Sequence, residues 1–485
     1  MLLNGGRGHA RHTKARHNVG FLCANTNNPA HSSQEIIIDS MKFPIDAILP
    51  ILLERLRTHT SVVLCAEPGA GKTTRVPIAL LNDAHFSGGK ILMLEPRRLA
   101  AIRSAEFMAQ QLGEVVGQRV GYRIRGESKV STGTRIEVVT EGILTRLLQD
   151  DPALEDVSVL IFDEFHERSI HADFGLALAL ESQESLRPDL RLLVMSATLD
   201  GVAVSALMND APVIASEGRC FPVDTIYSPL NERTPIESGV GAVVVNALRQ
   251  HEGDVLVFLP GQREIRRCAE WLQHNVTEDV VVHSLFGEAS IHQQQLAIKK
   301  DTAGRRKIIL ATAIAETSLT IDGVRIVVDS GLARVSRFDP KRGMSGLMTT
   351  NVSQATSEQR RGRAGRTQSG VCYRLWSQSQ QQSLAKFPTP ELLSTDLAPF
   401  ALEMARWGVA DAKQLRLLDQ PPSGHMQQAQ RLLQQLGALN AENRITEHGK
   451  AMSMLPVHPR FAHMLIVAKI HGHGALACDV CALLE

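Results

Sequence analysis

Five short runs between residues 61 and 216 are almost continuously apolar: SVVLCA, KILMLE, RIEVVT, SVLIFDE and RLLVMSA. Strands of this kind are buried on both faces, as in a parallel sheet with helices on either side, and helix-forming stretches separate them. The pattern restarts at Asp254 with DVLVFLP, VVVHSL, RKIILAT, RIVVDSG and VCYRLW. Two α/β lobes in tandem are predicted. From about Phe387 the strand-like runs cease and helices are expected to dominate. Upstream, Met41 opens an amphipathic stretch that predicts one helix through Arg57 and marks a candidate functional start. Residues 1–40 are polar and aperiodic and are read as a disordered extension. Their cluster Arg7, Arg11, Lys14 and Arg16 is read as a solvated tail rather than a nucleic-acid contact.

The first apolar run leads into SVVLCAEPGAGKTT, residues 61–74. Strand, glycine-rich loop, Lys-Thr and helix together form a phosphate-binding loop. Gly69, Ala70 and Gly71 are small enough for backbone N–H groups to close around phosphate oxygens, with Thr74 completing the turn. Lys72 is placed to reach the β- and γ-phosphates, and the Thr73 hydroxyl to hold Mg²⁺. The strict pattern has glycine where Ala66 stands. The second lobe carries no Gly-Lys-Thr, so its task differs from binding its own nucleotide.

Composition bounds the reading. At 485 residues the chain is too long for one core. Fifty-two basic against 51 acidic residues, net +1, give no global pull toward nucleic acid but leave room for a local basic groove. The seven cysteines are mostly single within apolar segments, as in a protein with reduced thiols, and no apolar run reaches membrane-spanning length. A soluble, cytoplasmic protein is expected. Cys478 and Cys481 form C-x-x-C near His471 and His473, but without a second pair their spacing reads as helix packing rather than zinc.

Asp163 and Glu164 end the run SVLIF, which puts two carboxylates at the carboxyl edge of a sheet, where doubly wound folds bind ligands. Asp163 suits Mg²⁺ held through its water shell, and Glu164 suits activation of an attacking water. His166 follows in DEFHERS, and Ser196-Ala197-Thr198 ends the next strand. In the second lobe QRRGRAGR (359–366) spaces Arg360, Arg361, Arg363 and Arg366 among small residues. Those guanidinium groups suit either a γ-phosphate held by the other lobe or a nucleic-acid backbone.

Taken in order, AEPGAGKTT, LEPRRLAA, VGYRIR, TEGILTR, DEFHERS, MSATLD, FLPGQREI, ATAIAETSLTIDG and QRRGRAGR resemble the motifs of the DEAH-box branch of helicase superfamily two. The resemblance covers residues 41–485. It implies two RecA-like lobes that clamp ATP-Mg²⁺, with single-stranded nucleic acid crossing both and moving 3′ to 5′, RNA ahead of DNA. Arg98, Arg125 and Thr140 would then touch the strand from the first lobe, and Thr317 and Thr320 from the second. Asp322 would face the nucleotide. Gln359, Arg363 and Arg366 would meet the γ-phosphate and its water, while His166, Ser196 and Thr198 would couple hydrolysis to motion. Arg97 and Arg123 are further guanidinium groups near sheet edges suited to phosphate. Residues 334–350 resemble the family's strand-separating β-hairpin.

The implied division is a first lobe over 41–218, a second over 219–386, a winged-helix region over 387–454 and the opening of a helical ratchet domain over 455–485. The apolar run ALACDVCALLE lacks a stop signal, which reads as a fragment of a longer chain. Ala313 stands where the family usually has Asn, and Phe107 where many members carry a base-stacking Arg. Two rival readings remain: an ATPase that remodels ribonucleoprotein without processive unwinding, and a nucleic-acid-binding protein whose ATPase has lapsed.

Overall fold

A computed structural model describes residues 43–484, except 68, 198–200, 217–220, 232, 288, 317–320 and 322. Eight strands build the first sheet: β1 (Ser61–Ala66), β2 (Lys90–Leu94), β3 (Val120–Ile124), β4 (Glu127–Lys129), β5 (Ile136–Val139), β6 (Val157–Phe162), β7 (Arg191–Ser196) and β8 (Val213–Ser216). Their order is β4-β3-β5-β2-β6-β7-β1-β8, and every pair is parallel except β3 with the edge strand β4. Alternation along β1 divides the core. Val62, Leu64 and Ala66 face the layer that includes α1 (Leu49–Thr58), α2 (Lys72–Leu81) and α3 (Arg98–Gln111). Val63 and Cys65 face α4 (Glu141–Asp150) and α5 (Ile170–Ser185). Both faces being buried is why the run reads as unbroken apolar sequence.

The second lobe holds β9 (Val223–Tyr227), β10 (Asp254–Phe258), β11 (Val280–Leu285), β12 (Arg306–Ala311), β13 (Val324–Asp329) and, after a hairpin, β16 (Gly370–Arg374). They form an all-parallel sheet ordered β11-β12-β10-β13-β16-β9. The hairpin itself is β14 (Leu332–Asp339) with β15 (Met344–Asn351), antiparallel from Leu332 opposite Asn351 to Asp339 opposite Met344.

Helices then dominate, and they join the first lobe. Phe400, Leu402 and Met404 of the helix Ala398–Trp407 share one core with Phe174 and Leu178 of α5. Phe174 and Phe400 meet edge to face with ring centroids 5.2 Å apart. A polar rim surrounds this core: Arg406 to Asp150 at 2.7 Å, Trp407 Nε1 to Glu181 at 2.9 Å, and Arg416 to Glu184 at 2.8 Å.

Two expectations about local structure are corrected. The helix expected through Arg57 is α1 alone, preceded by a 3₁₀ turn over Pro44–Ala47, because Pro44 and Pro50 each favour a helical start. The strands β3, β4, β8 and β9 escaped the reading of apolar runs. β4 is wholly exposed, and β9 alternates half-buried with exposed residues at the sheet's edge.

Candidate nucleotide site between the lobes

The loop after β1 turns through Gly69 at φ +89° and Gly71 at φ +90°, a left-handed conformation that side chains rarely adopt. A Cβ on Gly71 would also lie 2.9 Å from the Phe43 side chain, which packs over the loop. Ile45 N–H donates to the Ala70 carbonyl at 3.1 Å, so the segment before α1 braces the loop from behind. Nothing in the sequence pattern singled out Phe43.

Lys72 and Thr73 start α2, while Asp163 and Glu164 follow β6, and β7 separates β6 from β1 in the sheet. Lys72 Nζ donates to Glu164 Oε2 at 3.1 Å, and Thr73 Oγ1 to Asp163 Oδ2 at 2.5 Å. Glu164 N–H closes onto Asp163 Oδ1 at 2.8 Å. Thr74 lies in the first turn of α2, its N–H donating to the Gly71 carbonyl. Burial disfavours the charge on Lys72, but Glu164 and Asp163 outweigh it and raise its pKa above the ordinary lysine value. Burial and the charge of Glu164 raise Asp163, whereas Glu164, also pushed up by burial, is held low by Lys72 and His166.

The His166 side chain is enclosed, which lowers its pKa, with Glu164 opposing the shift. Its Nδ1 accepts from Ala197 N–H at 3.2 Å, joining the DEFHE turn to the Ser-Ala-Thr turn at the end of β7. Ser196 is buried there, and Thr198 lies outside the described residues.

The arginines of QRRGRAGR divide by role. Arg360 points into the second lobe, where it pairs with Glu316 at 2.5 Å and Asp329 at 2.7 Å and lies over the Phe258 ring. Arg361 pairs with Glu358 and donates to the Val223 carbonyl. Arg360 is therefore turned away from the cleft, which corrects the reading of the residues that treated the four alike. Gln359, Arg361, Arg363 and Arg366 line a cavity of about 320 Å³ with Glu67 and Ala197 of the first lobe. Arg363 is buried and donates to the Glu316 carbonyl; burial and neighbouring Arg366 disfavour its charge, and Glu164 across the cleft favours it.

Arg97 bridges the lobes, pairing with Glu167 at 3.2 Å and donating to the Ala313 carbonyl at 3.0 Å. The Asn-to-Ala departure at 313 thus leaves a backbone contact in place. Arg123 pairs with Glu137 at 2.7 Å. Arg97 and Arg123 are therefore committed to protein carboxylates, contrary to the phosphate-facing role expected of them. Arg98 and Arg125 are exposed at one edge, with Arg98 Nη2 donating to the Arg125 carbonyl at 3.1 Å. Thr140 is buried at the start of α4. Thr317, Thr320 and Asp322 lie outside the described residues. Phe107 is 39% exposed on α3.

Family models match in chain order: DEAD/DEAH box helicase over residues 46–206, Helicase conserved C-terminal domain over 240–368, and Helicase associated domain (HA2), winged-helix, over 429–457. The chain is 46% identical over 442 residues to the ATP-dependent RNA helicase HrpB of Escherichia coli K12, covering 91% of this chain and 54% of that protein. It is 34% identical to the ATP-dependent RNA helicase HrpA of Borreliella burgdorferi, over 90% of this chain and 54% of that one. The crystal structure of Escherichia coli DEAH/RHA helicase HrpB superposes with a TM-score of 0.87 at 46% identity, over 91% of this chain and 56% of that one. The chain thus spans about half the length of the curated relatives it matches. With two RecA-like lobes facing each other across the phosphate loop and the DEFH turn, the chain matches the DEAH-box helicases in both lobes and in their order.

Proposed function

We propose that this chain hydrolyses ATP in the cleft between its lobes and uses the cycle to move along single-stranded RNA from 3′ to 5′. The observation that carries the reading is the facing of Lys72, Thr73, Asp163 and Glu164 by Gln359, Arg363 and Arg366. One lobe supplies phosphate donors and carboxylates, and the other supplies guanidinium groups. Such a site is complete only when the lobes are together, which ties turnover to domain motion.

The oxygens of half-buried Thr73 and buried Asp163 lie 2.5 Å apart, a hard-donor set that fits Mg²⁺ with its waters. When bound, the ion neutralises phosphate charge and orients the scissile group. Lys72 exchanges its bond to Glu164 for the phosphates, which frees Glu164 to take the proton of the attacking water. Arg363 and Arg366 hold the charge that develops on the γ-phosphate. His166, through Ala197, passes the state of the DEFH turn to the end of β7. Arg98 and Arg125 hold the strand's backbone, with Thr140, Thr317 and Thr320 as further contacts and Asp322 facing the nucleotide.

Phosphate release with matched RNA and DNA strands, followed by strand displacement on a tailed duplex, tests the reading. RNA-stimulated release with displacement is expected. Stimulation without displacement favours the remodelling ATPase, and strand binding without release favours the lapsed one.

A further inference from the structure

The turn that carries Glu164 is held in an unusual backbone. Glu164 has φ +49° and Arg168 φ +53°, and neither is glycine. Non-glycine residues keep such a conformation only where their surroundings over-determine it. Part of those surroundings comes from beyond both sheets.

Arg168 Nε and Nη2 donate to the two oxygens of Asp173 at 3.1 and 3.0 Å, and Nη2 also donates to Asp419 Oδ2 at 2.7 Å. The Arg168 carbonyl accepts from Glu391 N–H at 3.1 Å, and Glu391 Oε2 accepts from Ile170 N–H at 2.9 Å. Both Glu391 and Asp419 follow the last strand, which ends at Arg374. The end of the DEFHER turn is therefore bracketed by the helical region, through the side chains of Asp419 and Glu391 and the Glu391 backbone N–H. Asp173 is buried and would by itself balance the charge of half-buried Arg168, whereas the Asp419 side chain is 38% exposed at the rim. The second carboxylate is thus redundant as a counter-ion. What it adds is a fixed direction for the guanidinium across the boundary between first lobe and helical region.

We infer that Asp419 is a positioning residue for hydrolysis: acting through Arg168, it fixes the turn that presents Glu164 to the attacking water. The inference rests on the reading of Glu164 as the water-activating carboxylate. It makes the helical region part of the machinery that sets turnover, with Arg168 as the connecting side chain. It also explains why the tie is polar and at the rim. A contact there can loosen without opening the core that the two parts share.

The test is steady-state release of phosphate by the 485-residue chain with a saturating RNA strand, comparing wild type, Asp419→Ala and Asp419→Glu, with thermal midpoints for each. Losing a half-exposed ion pair of this kind corresponds to a decrease in kcat of about five-fold. The KM for ATP is expected to stay within about two-fold and the thermal midpoint within about two degrees, since Asp173 still pairs Arg168. Asp419→Glu is expected to recover most of the lost kcat. Wild-type turnover in Asp419→Ala overturns this inference alone. So does a loss that appears as a raised KM, or that follows a lowered midpoint and is not recovered by Asp419→Glu. A wild-type chain that releases no phosphate overturns the reading of the site, and this inference with it.

Discussion

Glu141 offers a prediction that can be worked from the structure. It opens α4 and is half-buried, with Ser169 Oγ donating to its Oε1, while Glu391 and Glu167 lie close enough to oppose its charge. Burial is the main cause that lifts its pKa from 4.5 to about 8, with Arg97 only partly offsetting it. The folded chain therefore holds a proton that the unfolded chain releases. Between pH 4.5 and 8 the native state binds more protons than the unfolded one, so this group stabilises at low pH and its contribution is lost as pH rises. At about 1.4 kcal/mol for each tenfold, the rise corresponds to an upper bound of roughly 5 kcal/mol. Glu141→Gln keeps the shape and the acceptor for Ser169 but carries no titrating proton. At pH 5 the two proteins should differ by less than about 1 kcal/mol. By pH 8.5 the variant should be the more stable by several kcal/mol, the difference opening steadily between. Comparing denaturant midpoints of both proteins across that range isolates Glu141, because every other titrating group is common to the pair. Parallel profiles from pH 5 to 8.5 would refute the assignment of a half-buried, neutral Glu141.

Lys72→Ala should abolish ATP hydrolysis and weaken nucleotide binding. It should also lower stability by about 3–5 kcal/mol in the nucleotide-free chain, because buried Glu164 loses its cation; thermal melting and phosphate release check both. Glu164→Gln should retain ATP yet stop turnover, and hydrolysis at the wild-type rate would remove Glu164 from the role of base. Arg363→Ala or Arg366→Ala should slow turnover by about a thousand-fold with ATP still bound, whereas lost RNA affinity with normal phosphate release would return these residues to a backbone-contact role. Arg98→Ala should weaken RNA binding uniformly across sequences and reduce the salt slope of affinity by about one, read from titrations at several salt concentrations.

What was legible in the sequence followed from burial on two faces. β1, β6, β7, β10 and β12 are nearly continuous apolar runs because helices cover both sides, and β1 and β6 lead directly into the phosphate loop and Asp163–Glu164. The phosphate loop and Asp163–Glu164 were legible for the same reason, since position after a buried strand fixes where a side chain emerges. Residue chemistry alone did not separate the arginines; the family resemblance did, in naming Arg363 and Arg366. Arg360 and Arg363 are three apart on one short stretch, yet one lies against Glu316, Asp329 and Phe258 while the other lines the cleft. Which arginine finds a buried carboxylate depends on residues 30 to 50 positions away. Arg97 and Arg123 were misread for that reason too, their partners Glu167 and Glu137 lying on other elements.

The helical region shows the same limit at a larger scale. Chain order sets it after the second lobe, and the loss of strand-like runs at Phe387 suggested a separate module. Its apolar side chains, however, complete the outer layer of the first lobe. Helix α5 explains this: Phe174, Leu176, Leu178 and Leu180 are all buried, along with Ala177 and Ala179. A helix that is apolar all round needs cover on both sides, and the sheet supplies only one. The other is the helix Ala398–Trp407. By contrast, the second lobe's hairpin meets this region through a few contacts: Gln428 to the Pro340 carbonyl at 2.8 Å, Arg460 to the Gly343 carbonyl at 3.1 Å, Phe338 N–H to the Ser394 carbonyl at 2.8 Å, and the one Phe338 ring against His425. At about 1 kcal/mol each, such bonds are far weaker than a shared core of aromatic and leucine side chains worth about 2 kcal/mol apiece. The helical region therefore belongs mechanically to the lobe that holds the phosphate loop. Connectivity alone would have attached it to the other.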